Sequence, residues 1–165
     1  MSAEDGQPVS VSRRIEVPAE ELFAVLADPA RHPGIDGSGM LREAGGNPVI
    51  SGVGDTFTVR MNNAEMGGYE MLNHVVEFEP ARRIGWEPVL AAASREEDQD
   101  DIGHRSGHRW SYELTPVGDG ATMVTETYDC TRAPERLRKA VRYGERWVAS
   151  MSATLEKLDQ QYGRG

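Results

Sequence analysis

The sequence predicts an α+β fold in which one antiparallel sheet packs against a long C-terminal helix. Three observations carry that prediction. Short segments alternating apolar and polar residues recur between Val9 and Cys130, with turn residues between them. A short amphipathic helical segment follows the first of them. From Leu137 to Tyr162 the apolar residues recur instead at spacings of three and four. A period of two marks a half-buried strand and a period near 3.6 an amphipathic helix. One helix on one face of such a sheet is a stable layered arrangement.

The elements follow in order. Val9, Val11, Ile15 and Val17 space the first strand. Pro18 stands where a helix begins, and Glu20 and Glu21 suit the positive end of the helix dipole. Leu22, Val25 and Leu26 form the apolar stripe of that helix, which Asp28-Pro29 ends, and a second helical turn spans Pro29 to Pro33. Seven glycines lie at positions 34, 37, 39, 45, 46, 52 and 54. The segment lacks the Gly-Lys-Ser/Thr ending of a phosphate loop, so it reads as hairpin turns and strand bends. Phe57, Val59 and Met61 share one strand face. Leu72, His74, Val76 and Phe78 share the face of the next, and Ile84 and Trp86 mark a third strand. Residues 95–101, REEDQDD, read as a solvated loop, since they lack the ligand spacing of a calcium loop. His108, Trp110, Tyr112 and Leu114 then pair across a Gly-Asp-Gly turn with Val124, Glu126, Tyr128 and Cys130, a hairpin. Leu137, Val141, Gly144, Trp147, Met151, Leu155, Leu158 and Tyr162 form the stripe of the last helix, which Gly163 closes.

Composition narrows the classes. The length of 165 residues suits one domain, expected over 9–162 after a loose tail at 1–8. The formal charge of −9 argues against nucleic acid and anionic membrane surfaces, which call for basic patches. No apolar run approaches the roughly 20 residues of a membrane span, so no integral membrane segment is expected. Cys130 is the single cysteine, which excludes an internal disulfide. Together with the lack of a secretory signal at Met1–Pro8, this makes cytoplasm the expected compartment.

The order strand, helix pair, six to seven strands and long helix resembles the START-like, or SRPBCC, superfamily of polyketide cyclases, aromatases, lipid-transfer domains and pollen-allergen-like carriers. RRIEVPAEELFAVLADPARHPGI is similar to its first strand and helix pair, and VVEFEPARRIGWEP at 75–88 to its hairpin around a Glu-Pro turn. HRWSYEL at 108–114 and ATMVTETYD at 121–129 are similar to its last two strands. Many relatives carry an aromatic where this chain has Gly34-Ile35. The resemblance implies a helix-grip fold, with a curved sheet wrapped on the C-terminal helix and an apolar cavity between them. None of these motifs is catalytic.

The expected ligand-binding residues are Phe57, Val59, Met61, Leu72, His74, Val76, Phe78, Trp86, Trp110, Tyr112, Val124, Gly144, Trp147 and Met151. Met66, Met71 and Met123 join Met61 and Met151 as thioethers that line a cavity or fill a core. Gly144 has two readings, room beneath the helix for a ligand or close packing on a strand. Candidate catalytic residues are Glu126, His108 and Tyr128, which would move a proton and hold a carbonyl oxygen as cyclases require. In the alternative these groups satisfy each other or orient a ligand, and no bond changes. His104 and His108 beside Asp100 and Asp101 sit at a loop–strand junction where zinc spacing does not converge, so no metal is expected. No cofactor is called for. The leading expectation is a carrier or sensor of a hydrophobic small molecule, monomeric or homodimeric. The alternative is a cyclase, aromatase or dehydratase-like enzyme.

Overall fold

Strand β1 (Val9–Ile15) leads into helix α1 (Ala19–Leu26), a tight turn of helix (Pro29–Arg31) and the four-residue α2 (His32–Ile35). Six strands follow: β2 (Leu41–Glu43), β3 (Thr56–Asn63), β4 (Gly67–Glu79), β5 (Arg83–Leu90), β6 (Arg109–Val117) and β7 (Ala121–Asp129). The chain then forms α3 (Glu135–Ala140), a 3₁₀ stretch (Arg142–Trp147) and α4 (Val148–Tyr162). The structure is a computed structural model describing residues 7–64, 67–91 and 107–164. The acidic run at 95–101, Asp100, Asp101, His104, Met66 and the first six residues of the expected tail lie outside the described residues.

Among the described residues the seven strands form one curved antiparallel sheet in the order β1-β7-β6-β5-β4-β3-β2. Every neighbour except the β1–β7 pair is sequential in the chain, and β1 forms one edge of the sheet by lying against the last strand. The core lies between the inner face and the helices. Leu22, Leu26, Ile15, Ile84, Leu114, Val124, Leu155 and Leu158 are all buried there.

Two details differ from the alternation. In β4 the register shifts between Val75 and Glu77, with Val75 opposite Trp86 and Glu77 opposite Gly85. The extra residue reverses the parity of the strand. Met71, Asn73 and Val75 therefore share the inner face with Phe78, whereas Leu72, His74 and Val76 stand on the outer face.

The C-terminal segment also does not run as one helix from Leu137. Arg142, Tyr143 and Gly144 have φ of 51°, 56° and 97°, and the chain kinks there. A Cβ on Gly144 would lie 2.9 Å from Val9 Cγ2 and 3.2 Å from Tyr128 Cδ2, so this glycine serves close packing and a left-handed turn. It leaves no room for a ligand beneath it. Beyond the kink, Leu155 and Leu158 still enter the main core, and Met151 joins Tyr128, Cys130 and Ala133 in a second cluster.

The loop after α2 is fastened to α4. Gly37 N donates to Thr154 Oγ1 (2.9 Å), Lys157 Nζ donates to the Asp36 carbonyl (2.9 Å), and Gln161 Nε2 donates to the Gly34 carbonyl. The approach is close enough that a Cβ on Gly37 would lie 2.6 Å from Thr154 N.

Candidate functional site

The inner face of the β6–β7 hairpin carries the chemistry. Antiparallel pairing sets Trp110 opposite Tyr128, Tyr112 opposite Glu126 and Leu114 opposite Val124. Cross-strand partners share a face, so the alternation that buries Val124 and Tyr128 also buries Glu126 between them. Glu126 is 4% exposed, and its Oε1 has no hydrogen-bond partner. The Tyr112 hydroxyl faces the same carboxyl group from the neighbouring strand. Burial pushes the Glu126 pKa up to about 8; the facing Tyr112 hydroxyl opposes that rise and the charge of Asp36 adds to it. The side chain is therefore a neutral acid at pH 7, able to donate as well as accept. Burial likewise pushes Tyr112 well above the usual tyrosine range, with Glu126 second.

An aromatic row leads from this pair into the core. Tyr112 lies 6.0 Å from Trp86, which meets Phe57 edge-on at 5.2 Å and stacks on His32 at 5.3 Å. His32 is buried, and its Nε2 donates to the Leu26 carbonyl at 2.8 Å. Burial lowers its pKa, so the ring is neutral. Asn73, buried beside Phe57, turns its amide toward the Phe57 carbonyl at 3.5 Å. The carboxylate of Asp36 accepts from Ser38 Oγ at 2.8 and 2.9 Å and from the Leu41 backbone at 3.2 Å.

A second group gathers under the kink. Trp110, Tyr128 and Trp147 form an aromatic triangle with centroids 4.6–6.3 Å apart. His108 Nδ1 is hydrogen-bonded to the Tyr128 hydroxyl. Burial lowers the His108 pKa and raises that of Tyr128. The indole N–H of Trp147 faces the same hydroxyl without closing a hydrogen bond, and Arg138 Nε is also without a partner. Burial raises the Cys130 thiol, which makes it a poor nucleophile and suits a core residue.

The three candidate catalytic residues thus fall into two arrangements. His108 and Tyr128 bond each other, while Glu126 pairs with Tyr112. Phe57, Val59, Met61, Phe78, Trp86, Trp110, Tyr112, Val124, Trp147 and Met151 line the two buried clusters. Leu72, His74, Val76 and Gly144 do not. Met61 and Met71 pack on the main core and Met151 on the second cluster, while Met123 lies on the outer face. His32, Asp36 and Asn73 were not anticipated from the sequence. His32 sits between two prolines and Asn73 just before the bulge, where no periodic signal marks an inward side chain.

Where the sequence predicts an open chamber under α4, buried side chains of the two clusters pack against the helix. Two hollows stand out among the described residues, and both lie elsewhere. One of about 650 Å³ is bordered by Ala30 and Pro33 of the helix pair, Ala44–Asn47 and Val59. The other, about 410 Å³, lies by Arg82, Arg83 and Glu113 on the outer side. The first reaches the core at Ala44 and Val59, which are both buried. No group of three acidic, histidine or cysteine side chains among the described residues is placed to hold a metal ion. No helix among them is long and apolar enough to cross a membrane.

Comparison with known proteins adds to this geometry. Residues 7–163 match the family described as polyketide cyclase / dehydrase and lipid transport. An uncharacterized protein of Mycobacterium tuberculosis, Rv0088, is 33% identical over 169 residues, covering 98% of this chain and 67% of its own length. Among solved structures, protein Ms6760 of Mycobacterium smegmatis superposes with a TM-score of 0.68 at 16% identity, over 98% of this chain and 94% of that one. The AHSA1 protein of Silicibacter pomeroyi superposes with a TM-score of 0.60 at 18% identity, over 94% and 96%. At these identities the two structures speak to the fold alone. The match over nearly the whole chain shows that this protein belongs to the polyketide cyclase / dehydrase and lipid transport family of the START-like (SRPBCC) superfamily.

Proposed function

We propose that the protein binds a hydrophobic small molecule, a lipid, polyketide or aromatic metabolite, between the sheet and α4, as a carrier or sensor. The observation that carries this reading is the Glu126 carboxyl, buried in an apolar interior with Oε1 unpartnered. A buried polar atom without a partner costs about 1–3 kcal/mol. A ligand oxygen reaching Oε1 would recover that cost, while the aromatic row from Tyr112 to His32 offers apolar contact. Entry requires side chains to move, and the hollow at Ala44 and Val59 is the opening that already reaches the core. Native mass spectrometry of freshly purified protein, followed by thermal shifts with a lipid and polyketide panel, tests it. A co-purified apolar molecule or a clear shift supports the reading, because a ligand of the native state raises stability. No mass and no shift across the panel would overturn it.

A second reading has its own observation. A carboxyl group with a pKa near 8 is a general acid at neutral pH. With the Tyr112 hydroxyl beside it, the pair could polarise a ketone and assist enolisation, as a cyclase or dehydratase needs. Glu126→Gln would then abolish turnover and leave binding in place; unchanged product formation removes Glu126 from that role. We further propose action in the cytoplasm, supported by the lone buried Cys130, and a monomer or homodimer, since β1 and β2 are open sheet edges.

A further inference from the structure

We propose that the interior sorts ligands by charge: it takes an apolar molecule whose inward end is an uncharged oxygen function, a ketone, enol, phenol or alcohol, and turns away one ending in a carboxylate. This inference rests on the binding reading above and specifies the ligand class.

The groups around Glu126 make the case element by element. From β6 comes buried Tyr112, directly opposite Glu126 in the ladder. From the loop after α2 comes Asp36, whose negative charge acts on both Tyr112 and Glu126. On β1, Val11 stands opposite Glu126, and the nearby Arg13 gives its charge to Asp159 of α4 at 2.8 Å. The buried residues of α4 are Met151, Thr154, Leu155 and Leu158, all uncharged. Among the described residues no lysine, arginine or histidine forms an ion pair with Glu126.

A ligand carboxylate placed at Oε1 would therefore be a further acid in apolar surroundings, beside Glu126 and Asp36; the cation near Asp36, exposed Lys157, is held on the Asp36 backbone carbonyl at 2.9 Å and forms no ion pair with Glu126. Burying an unpaired charge is far costlier than burying a paired hydroxyl or carbonyl. A neutral oxygen is the complement of a protonated carboxyl, which can give it a hydrogen bond or take one from it. Lipid and polyketide are then equivalent sources of the same chemistry, an oxygenated but uncharged inner end.

The test is a matched pair of probes: a long-chain methyl ketone and the fatty acid of the same chain length, titrated near neutral pH with tryptophan fluorescence as the readout. The ketone is expected to bind at least about tenfold more tightly. Its affinity is expected to fall several-fold as pH rises from about 6 to about 9, because Glu126 then ionises. Glu126→Gln should keep the preference for the ketone and lose the pH dependence. Equal or tighter binding of the fatty acid, or ketone binding by the wild-type protein that ignores pH, overturns the inference while the binding reading stands. If neither probe binds, and none of the wider apolar panel does, the binding reading itself fails. The wild-type pH series stands on its own if the variant does not fold.

Discussion

Tyr112 and Glu126 stand opposite each other across the β6–β7 ladder, with the phenol and the carboxyl both buried in the core. Of the carboxyl's two oxygens, Oε1 is left without a partner. This pair makes stability depend on pH in a direction opposite to that of an ordinary surface carboxylate.

Glu126 has a pKa near 8 in the folded chain, against 4.5 for an ordinary glutamate. Between those values the folded protein holds a proton that the unfolded chain has released. Its contribution is thus full below about pH 4.5 and is lost as pH rises toward 8, at up to about 1.4 kcal/mol per unit. Urea unfolding at several pH values should show this decline, and Glu126→Gln should flatten it. An equal decline in the variant would assign it to other groups.

His32 works in the opposite sense. Burial lowers its pKa below the usual 6.5, so the unfolded chain takes up the proton first. Its stabilising contribution is present above about pH 6.5 and is lost as pH falls through the folded value. The ring signals of His32 and His108 in an NMR titration should shift only below that point, and a midpoint above it for His32 would contradict a neutral buried ring.

Gly144→Ala should destabilise by about 1–3 kcal/mol, since it forces a Cβ into a left-handed residue pressed on Val9 and Tyr128. Gly52 has nothing within 4 Å of a Cβ and no positive φ, so Gly52→Ala should lie within about 1 kcal/mol of the parent. Similar melting temperatures for the two variants would argue against the packing described at the kink.

On the outer face, buried Glu87 accepts from Arg109 at 2.7 and 3.0 Å and from Arg132 at 2.6 Å. Glu87→Ala removes an acceptor shared by two guanidinium groups and should cost about 2–4 kcal/mol. Arg132 is 65% exposed, and its removal should cost no more than about 1 kcal/mol. Chemical denaturation of the two variants separates a buried hub from a surface ion pair.

The strands, their order and the residues of the last hairpin were legible in the sequence because a half-buried strand must alternate. Trp110, Tyr112, Val124, Glu126 and Tyr128 all follow from that one constraint. The same constraint misplaced Leu72, His74 and Val76, because one extra residue at Val76 changes parity without changing composition. The kink stayed hidden for a related reason. Leu137, Val141, Trp147 and Met151 keep helical spacing across a break that the backbone angles of three residues create. His32 and Asp36 reach the interior through the path of the helix-pair loop, and no local period encodes that path.

The fastening of α4 has a mechanical consequence. Its second half is tied to the 34–37 loop through Thr154, Lys157 and Gln161, whereas its first turn hangs from three consecutive left-handed residues. The two ends of one helix are therefore held by different means, hydrogen bonds to a loop at one and a left-handed turn packed on Val9 and Tyr128 at the other. The two attachments share no residue, so a substitution at the kink can loosen the packing on Val9 and Tyr128 while the contacts of Asp36 and Gly37 with the helix stay in place.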